Sequence, residues 1–232
     1  MQNLLLILYS LTIAFVPSLA WLVFVLKKDI HPERVRDICF VFIIGILSAI
    51  PILMVGFFVQ STVATSGIDI SPLWVSFVTG AVNEELMKVV LLYFFAMTAQ
   101  FWDEPIDIFI YAATIALGFA GIENFVVALT RLESIGGGLE QLLLIRSITA
   151  VLVHIMSTFF FGYALAVYRD NRNILILLTG ALASIGFHGL YNYAVQISGG
   201  GFEIFQLFYL VVFLPCFVYM MYLVRELQSE ST

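Results

Sequence analysis

Residues 4–26 read LLLILYSLTIAFVPSLAWLVFVL, 23 positions without a charge, and Lys27-Lys28 follow at once. At 1.5 Å per residue the run is about 35 Å long as a helix, enough to cross a hydrocarbon layer of about 30 Å. It is too long for the apolar core of a signal peptide and no basic segment precedes it, so a retained anchor is expected. The lysines at its far end place the amino terminus outside and the first loop inside. The pattern repeats along the chain. Hydrophobic residues make up 62% of the 232 positions and charged residues 11%, against about 25% charged in soluble domains. The formal charge of −6 carries little information here, because what matters is where the charges sit relative to the membrane.

The ruler of about 20 apolar residues per crossing predicts seven spans, roughly 3–26, 38–60, 72–100, 106–130, 141–168, 173–197 and 202–224. Between them lie the charged loop Lys27–Asp37 with Pro32, the polar stretch Ser61–Pro72, the breaker Asp103-Glu104-Pro105, and the triplets Gly136-Gly137-Gly138 and Gly199-Gly200-Gly201. The expected fold is all-α, a polytopic transmembrane bundle forming a single integral membrane domain over 1–232. The expected location is the cell membrane, multi-pass, with lipid rather than nucleic acid as surroundings. Lys27, Lys28, Arg34, Arg36, Arg169, Arg172 and Arg225 fall on the inner side and only Arg131 and Arg146 on the outer, which obeys the positive-inside rule and puts the carboxyl terminus in the cytoplasm. Cys39 and Cys216 have no metal-type spacing and read as buried small hydrophobes. Arg146 reads as a snorkelling side chain, and Phe159-Phe160-Phe161 as lipid-facing or packing.

Six ionisable residues fall inside spans: Glu84, Glu85, Lys88, Glu123, His154 and His188. Each costs about 2.5–3.5 kcal/mol on insertion scales unless it meets a partner or a wet cavity. Counting from the outer span ends at 1.5 Å per residue, the glutamate pair lies about 18–20 Å deep, Glu123 about 11 Å, His154 about 20 Å and His188 about 14 Å. One shared cavity opening outward accounts for all six. Helical spacing lets Lys88 pair with either Glu84 or Glu85, and sets Phe119 beside Glu123, and His188 beside Asn192. Gly118 and Gly121 allow a neighbouring backbone close to Glu123. Singly, each feature has a structural explanation: an ion pair, a packed histidine, an interhelical amide. Their convergence is what points to a site.

Carboxylates and imidazoles in a dry pocket suit hydrolysis, either through a glutamate-activated water or through a divalent metal such as Zn²⁺. No HExxH occurs, so a zincin motif is excluded. Adjacent helical residues diverge by about 100°, so Glu84 and Glu85 are expected to differ in role: Glu84 the base, Glu85 the partner that orients Lys88 or the late histidine.

The set Glu84-Glu85-Leu86-Met87-Lys88, Phe119-Ala120-Gly121-Ile122-Glu123, His154 and His188-Gly189-Leu190-Tyr191-Asn192 resembles the PrsW family of intramembrane proteases, over about Pro17 to Asn192. That family is related to the CAAX prenyl endopeptidases and the bacterial immunity-type membrane proteases. Lys88 in place of a later arginine, and Glu123 in place of a histidine, point to the PrsW branch. The resemblance implies an intramembrane endopeptidase that cuts membrane-anchored, single-span proteins on the extracytoplasmic side, as in first-site cleavage of an anti-sigma factor. It implies catalytic roles for Glu84, Glu85, Glu123, His154 and His188, supported by Lys88, Asn192 and Phe119. By analogy with the wider superfamily, the water is expected to be activated by glutamate without tightly bound metal. The alternative is Zn²⁺ held by Glu85, Glu123, His154 and His188. Two other functions compete. A transporter would need a polar route across the bilayer, but the inner halves of the spans lack acids and histidines and there is no inverted repeat. A non-catalytic scaffold would have no strict need for Glu84 or Glu85.

Overall fold

The computed structural model describes residues 2–67, 69–98, 102–135, 138–198 and 206–230. Among these, every regular element is helical. They are α1 (Gln2–Leu26), α2 (Val35–Leu47), α3 (Ala49–Ser66), the turn α4 (Pro72–Trp74), a π-helical stretch Val75–Val82, α5 (Asn83–Thr98), α6 (Asp107–Ile135), α7 (Leu139–Ile148), α8 (Ala150–Asn171), α9 (Ile174–Ser198), a second π-helical stretch Tyr209–Phe213, and α10 (Leu214–Glu230).

Among the described residues, six stretches are long and apolar enough to cross a membrane: Leu5–Leu26, Val35–Val63, Asp107–Arg131, Leu139–Asn171, Ile174–Ser198 and Gln206–Glu230. The third of the seven expected spans is helical from Pro72 to Thr98, roughly 40 Å, but differs from the six in carrying Glu84, Glu85 and Lys88. Two crossings are broken: α2 passes to α3 at Ser48, and α7 to α8 at Thr149. At each break a hydroxyl takes up a backbone carbonyl, Ser48 Oγ donating to Gly45 O (2.6 Å) and Thr149 Oγ1 to Ile145 O (2.9 Å). In hydrocarbon such carbonyls have no water to turn to. The expected turns at Gly136-Gly137 and Gly199–Gly201, and the start of the last span, lie outside the described residues.

Burial ranks the helices. The α7–α8 crossing is 78% buried in its apolar window and α6 67%, against 22% for α1 and 28% for the last crossing. The core therefore sits on α6 and α8, and the outer helices turn Phe57, Phe58, Leu182 and Leu210 outward, as suits a lipid-facing surface. Phe159 and Phe161 are buried, so the aromatic triplet packs inward at those two positions. Cys39 corrects the expectation of a buried thiol: it is exposed on α2, while Cys216 is half-buried.

Helices α2 and α6 touch backbone to backbone. A Cβ on Gly118 would lie 2.2 Å from Phe42 O, and one on Gly45 2.3 Å from Ile115 O, so only glycine fits at either point. Small residues allowing such an approach are a common device where lipid offers no hydrophobic drive between helices. Gly121 serves α1 instead, seating the ring of Phe15.

Candidate functional site

The site begins with a local irregularity. Ser71 Oγ accepts from Trp74 N (3.3 Å) and Pro72 follows at the first helical position, a strong helix start. The next turns, Val75–Val82, wind as a π-helix. The wider turn re-phases the residues that follow, and such segments often mark functional positions. Asn83-Glu84-Glu85 comes directly after it. On the facing helix, Asn192 lies close enough that a Cβ at Gly80 would be 3.0 Å from its Nδ2, so α9 runs tightly against this segment.

Glu85 and Lys88 are both fully buried. Lys88 Nζ donates to Glu85 Oε1 (2.5 Å) and to His154 Nδ1 (3.1 Å), and stands 4.8 Å from the centre of the Phe119 ring. Glu85 also accepts from His188 Nδ1 at Oε1 (2.6 Å) and from Ser184 Oγ at Oε2 (2.8 Å). Both of its oxygens are thus engaged. An ammonium can only donate, so His154 accepts at Nδ1 and carries its proton on Nε2, which donates to Glu123 Oε2 (2.9 Å). The same logic puts the His188 proton on Nδ1, facing Glu85, and leaves its Nε2 lone pair free. The two imidazoles pack edge to face, 4.9 Å apart, and Phe119 packs on His154 at 5.2 Å.

Glu84 stands apart. Its Oε2 is buried without a hydrogen-bond partner, 3.7 Å from His188 Nε2. Both glutamates therefore reach one imidazole, from its two nitrogens. The divergence of about 100° along the helix separates their contacts without separating their target. Glu123 completes the cluster. It pairs with Arg146 Nη2 at 2.8 Å and, at 29% exposed, is the most open of the three acids. Arg146 corrects the sequence expectation: it turns inward, its Nε donating to Asn124 Oδ1 (2.7 Å), because Glu123 and Asn124 offer it partners that lipid does not. It lies two turns before His154 along α7–α8, a spacing that could have placed it. Ser184, one turn before His188, is the second residue the sequence reading missed.

Oxygen and nitrogen atoms of Glu84, His154 and His188 lie within 4.8 Å of one another, a set that could hold a metal ion. This grouping differs from the one expected from sequence, in which Glu85 and Glu123 join the histidines. Glu85 is occupied by Lys88, His188 and Ser184, while the unpartnered oxygen belongs to Glu84. With Glu84 ionised, three carboxylates face two cations, leaving an excess of one negative charge in the cluster.

Acids and imidazoles gathered inside the bundle of a polytopic helical membrane protein suit hydrolysis within the membrane. The comparisons are specific. Residues 33–220 match the PrsW family intramembrane metalloproteases, and the chain belongs to that family. It is 32% identical over 170 residues to Protease PrsW of Geobacillus kaustophilus, covering 73% of this chain and 72% of that one. Protease PrsW of Oceanobacillus iheyensis is 28% identical over 199 residues, covering 85% and 86%. Protease PrsW of Bacillus subtilis is 26% identical over 173 residues, covering 73% and 74%. No solved structure matches the chain. The protein is an intramembrane peptidase, multi-pass in the membrane, acting on membrane-protein substrate.

Proposed function

We propose that Glu84, His154 and His188 form the catalytic centre of this peptidase, that Glu123 handles the proton, and that Glu85 and Lys88 position the histidines. The whole chain is then one catalytic domain. The observation that carries the reading is Glu84 Oε2, buried, without a hydrogen bond, and facing the free nitrogen of His188.

The donors fit a divalent cation such as Zn²⁺. One carboxylate and two imidazoles match a three-ligand site with a fourth position open, and the excess negative charge favours it. His154 would offer a nitrogen now engaged with Lys88 or Glu123. A cation bound there supplies Lewis-acid polarisation of the peptide carbonyl and acidifies water. The remaining work falls to side chains. Glu85 holds the proton on His188 Nδ1 and so fixes the ring, the usual support of a ligating histidine. Lys88 balances the charge of Glu85. Glu123, steadied by Arg146 on the more open flank, takes a proton from the attacking water and returns it to the leaving nitrogen. Without a cation, the same free oxygen of Glu84 is the base, and this is the second reading.

We infer that the substrate is a single-span membrane protein, with lipid around both, cut on the extracytoplasmic side; a membrane-anchored anti-sigma factor fits that class. Support comes from the distribution of Lys and Arg, which by the positive-inside rule favours an amino terminus outside. The test is cleavage of a single-span substrate by purified protein in proteoliposomes. Wild type should cut, Glu84→Gln should not, and chelator should abolish activity that Zn²⁺ restores. Activity untouched by chelator favours glutamate alone. Full activity in Glu84→Gln overturns the centre.

A further inference from the structure

A cavity of about 690 Å³ lies between α3 and the rod that carries the glutamates. Val63 and Ile70 line it at the α3–α4 end, Gly56 lies midway, and Ile52, Asn83 and Glu84 close the other end. The distance along α3 from Ile52 to Val63 is about 16 Å, which matches about five residues of extended chain. Asn83 Nδ2 donates to Ile52 O (3.0 Å), tying α3 to α5 at the closed end. Whatever lies in the cavity meets Glu84 there.

We propose that this cavity is the groove in which the extended segment of the substrate beside the scissile bond lies, and that Gly56 sets how large a side chain it admits. This rests on the protease centre proposed above. The occupant is argued from the two ends. The outer wall is apolar, with Leu53, Phe57, Val59 and Val63, which suits apolar substrate side chains taken from lipid. The closed end is polar, with Asn83 and Glu84, which suits a peptide backbone and gives nothing to an acyl chain. A peptide bond must reach Glu84, and this groove leads to it. Gly56 leaves the middle of the groove wide. A Cβ built there meets no heavy atom within 4 Å, so a large side chain can be added without disturbing the helices.

The experiment uses full-length protein in proteoliposomes with a single-span substrate. Gly56→Phe should lower kcat/KM at least tenfold, chiefly through KM, with unchanged thermal stability; Gly56→Ala should fall between it and wild type. Met54→Phe, on the exposed side of α3 and away from the cavity lining, should cleave as wild type does. Gly56→Cys, with Cys39 and Cys216 replaced by alanine, should form a disulfide with substrates bearing one cysteine within a few residues of the cut, and not with cysteines placed at the far end of the span. Undiminished cleavage by Gly56→Phe, or no position-dependent disulfide, overturns the groove. Loss of bound lipid from Gly56→Phe with cleavage unchanged does so in favour of a lipid site. If wild type cuts nothing, the protease centre fails, and the disulfide pattern still decides the groove.

Discussion

Lys88→Met tests whether the cluster is held by the Glu85–Lys88 pair. Both side chains are fully buried, with Nζ 2.5 Å from Glu85 Oε1. Methionine keeps the length and removes the charge. Removing one partner of a buried pair costs about 3–5 kcal/mol, since the other charge is left uncompensated. Glu85 would keep its bonds from His188 and Ser184, which places the cost near the lower end, about 3 kcal/mol. In a chain of this size that is a fall of about 6–12 °C in melting temperature. The double variant Glu85→Gln/Lys88→Met removes both charges, so it should be more stable than Lys88→Met alone, with a coupling of at least about 1 kcal/mol. The assay is the apparent melting temperature of wild type, Glu85→Gln, Lys88→Met and the double variant in one detergent, followed by retention of the monodisperse peak after heating. Lys88→Met as stable as wild type, or a double variant that falls further than the single one, would refute the reasoning.

Arg146→Ala leaves Glu123 without its guanidinium; cleavage should drop about 10–100-fold, the usual cost of a support around such a site, and a rate near wild type would remove Arg146 from it. Ser184→Ala deletes a bond to a buried carboxylate and should cost about 1.5–3 kcal/mol in thermal unfolding, with Ser184→Thr tolerated better. Gly118→Ala drives a methyl into Phe42 O and should cost about 1–3 kcal/mol, whereas Gly186→Ala, whose Cβ meets nothing within 4 Å, should be neutral or stabilising by up to about 1 kcal/mol; melting temperatures measured side by side decide it.

The spans were legible because charge-free runs of about 20 residues have few other uses. The rod from Pro72 to Thr98 was legible as a helix too, but the π-helical turn within it was not. Val75–Val82 reads as an ordinary span segment, mostly apolar with Ser76 and Thr79, and no residue announces the wider turn. The chemistry-bearing residues were legible because hydrocarbon penalises each of them, which makes an acid in a span conspicuous. Their partners were harder. Arg146 near an interface has a ready explanation in snorkelling, and only its two-turn spacing from His154 hints that it turns inward, to Glu123 on another helix. Ser184 is ordinary in a span, and its bond to Glu85 crosses between helices. Which glutamate Lys88 would choose depended on the rotation of α5, and spacings of three and four residues both allow a pair.

The doublet Glu84-Glu85 makes physical sense once its target is seen to be a single ring. A histidine that binds a cation or meets a reacting water must have one nitrogen free and the other fixed. Glu85 does the fixing, and it can be ionised in a fully buried place because Lys88, one turn on, stands against it. A carboxylate with both oxygens so engaged has none to offer a cation or a water, so a second one is needed, close to the free nitrogen yet not claimed by the lysine. The next residue along the helix supplies it. Separate positions on distant helices could do the same work, but each would need its own packing to reach this ring. Placing both acids on consecutive residues lets the orientation of α5 alone set the two contacts, and the π-helical stretch just before them is where that orientation is adjusted. Winding that stretch back to a regular α-helix would turn Glu84 and Glu85 together away from His188, so the support of the ring and the chemistry proposed for Glu84 would be lost in one step.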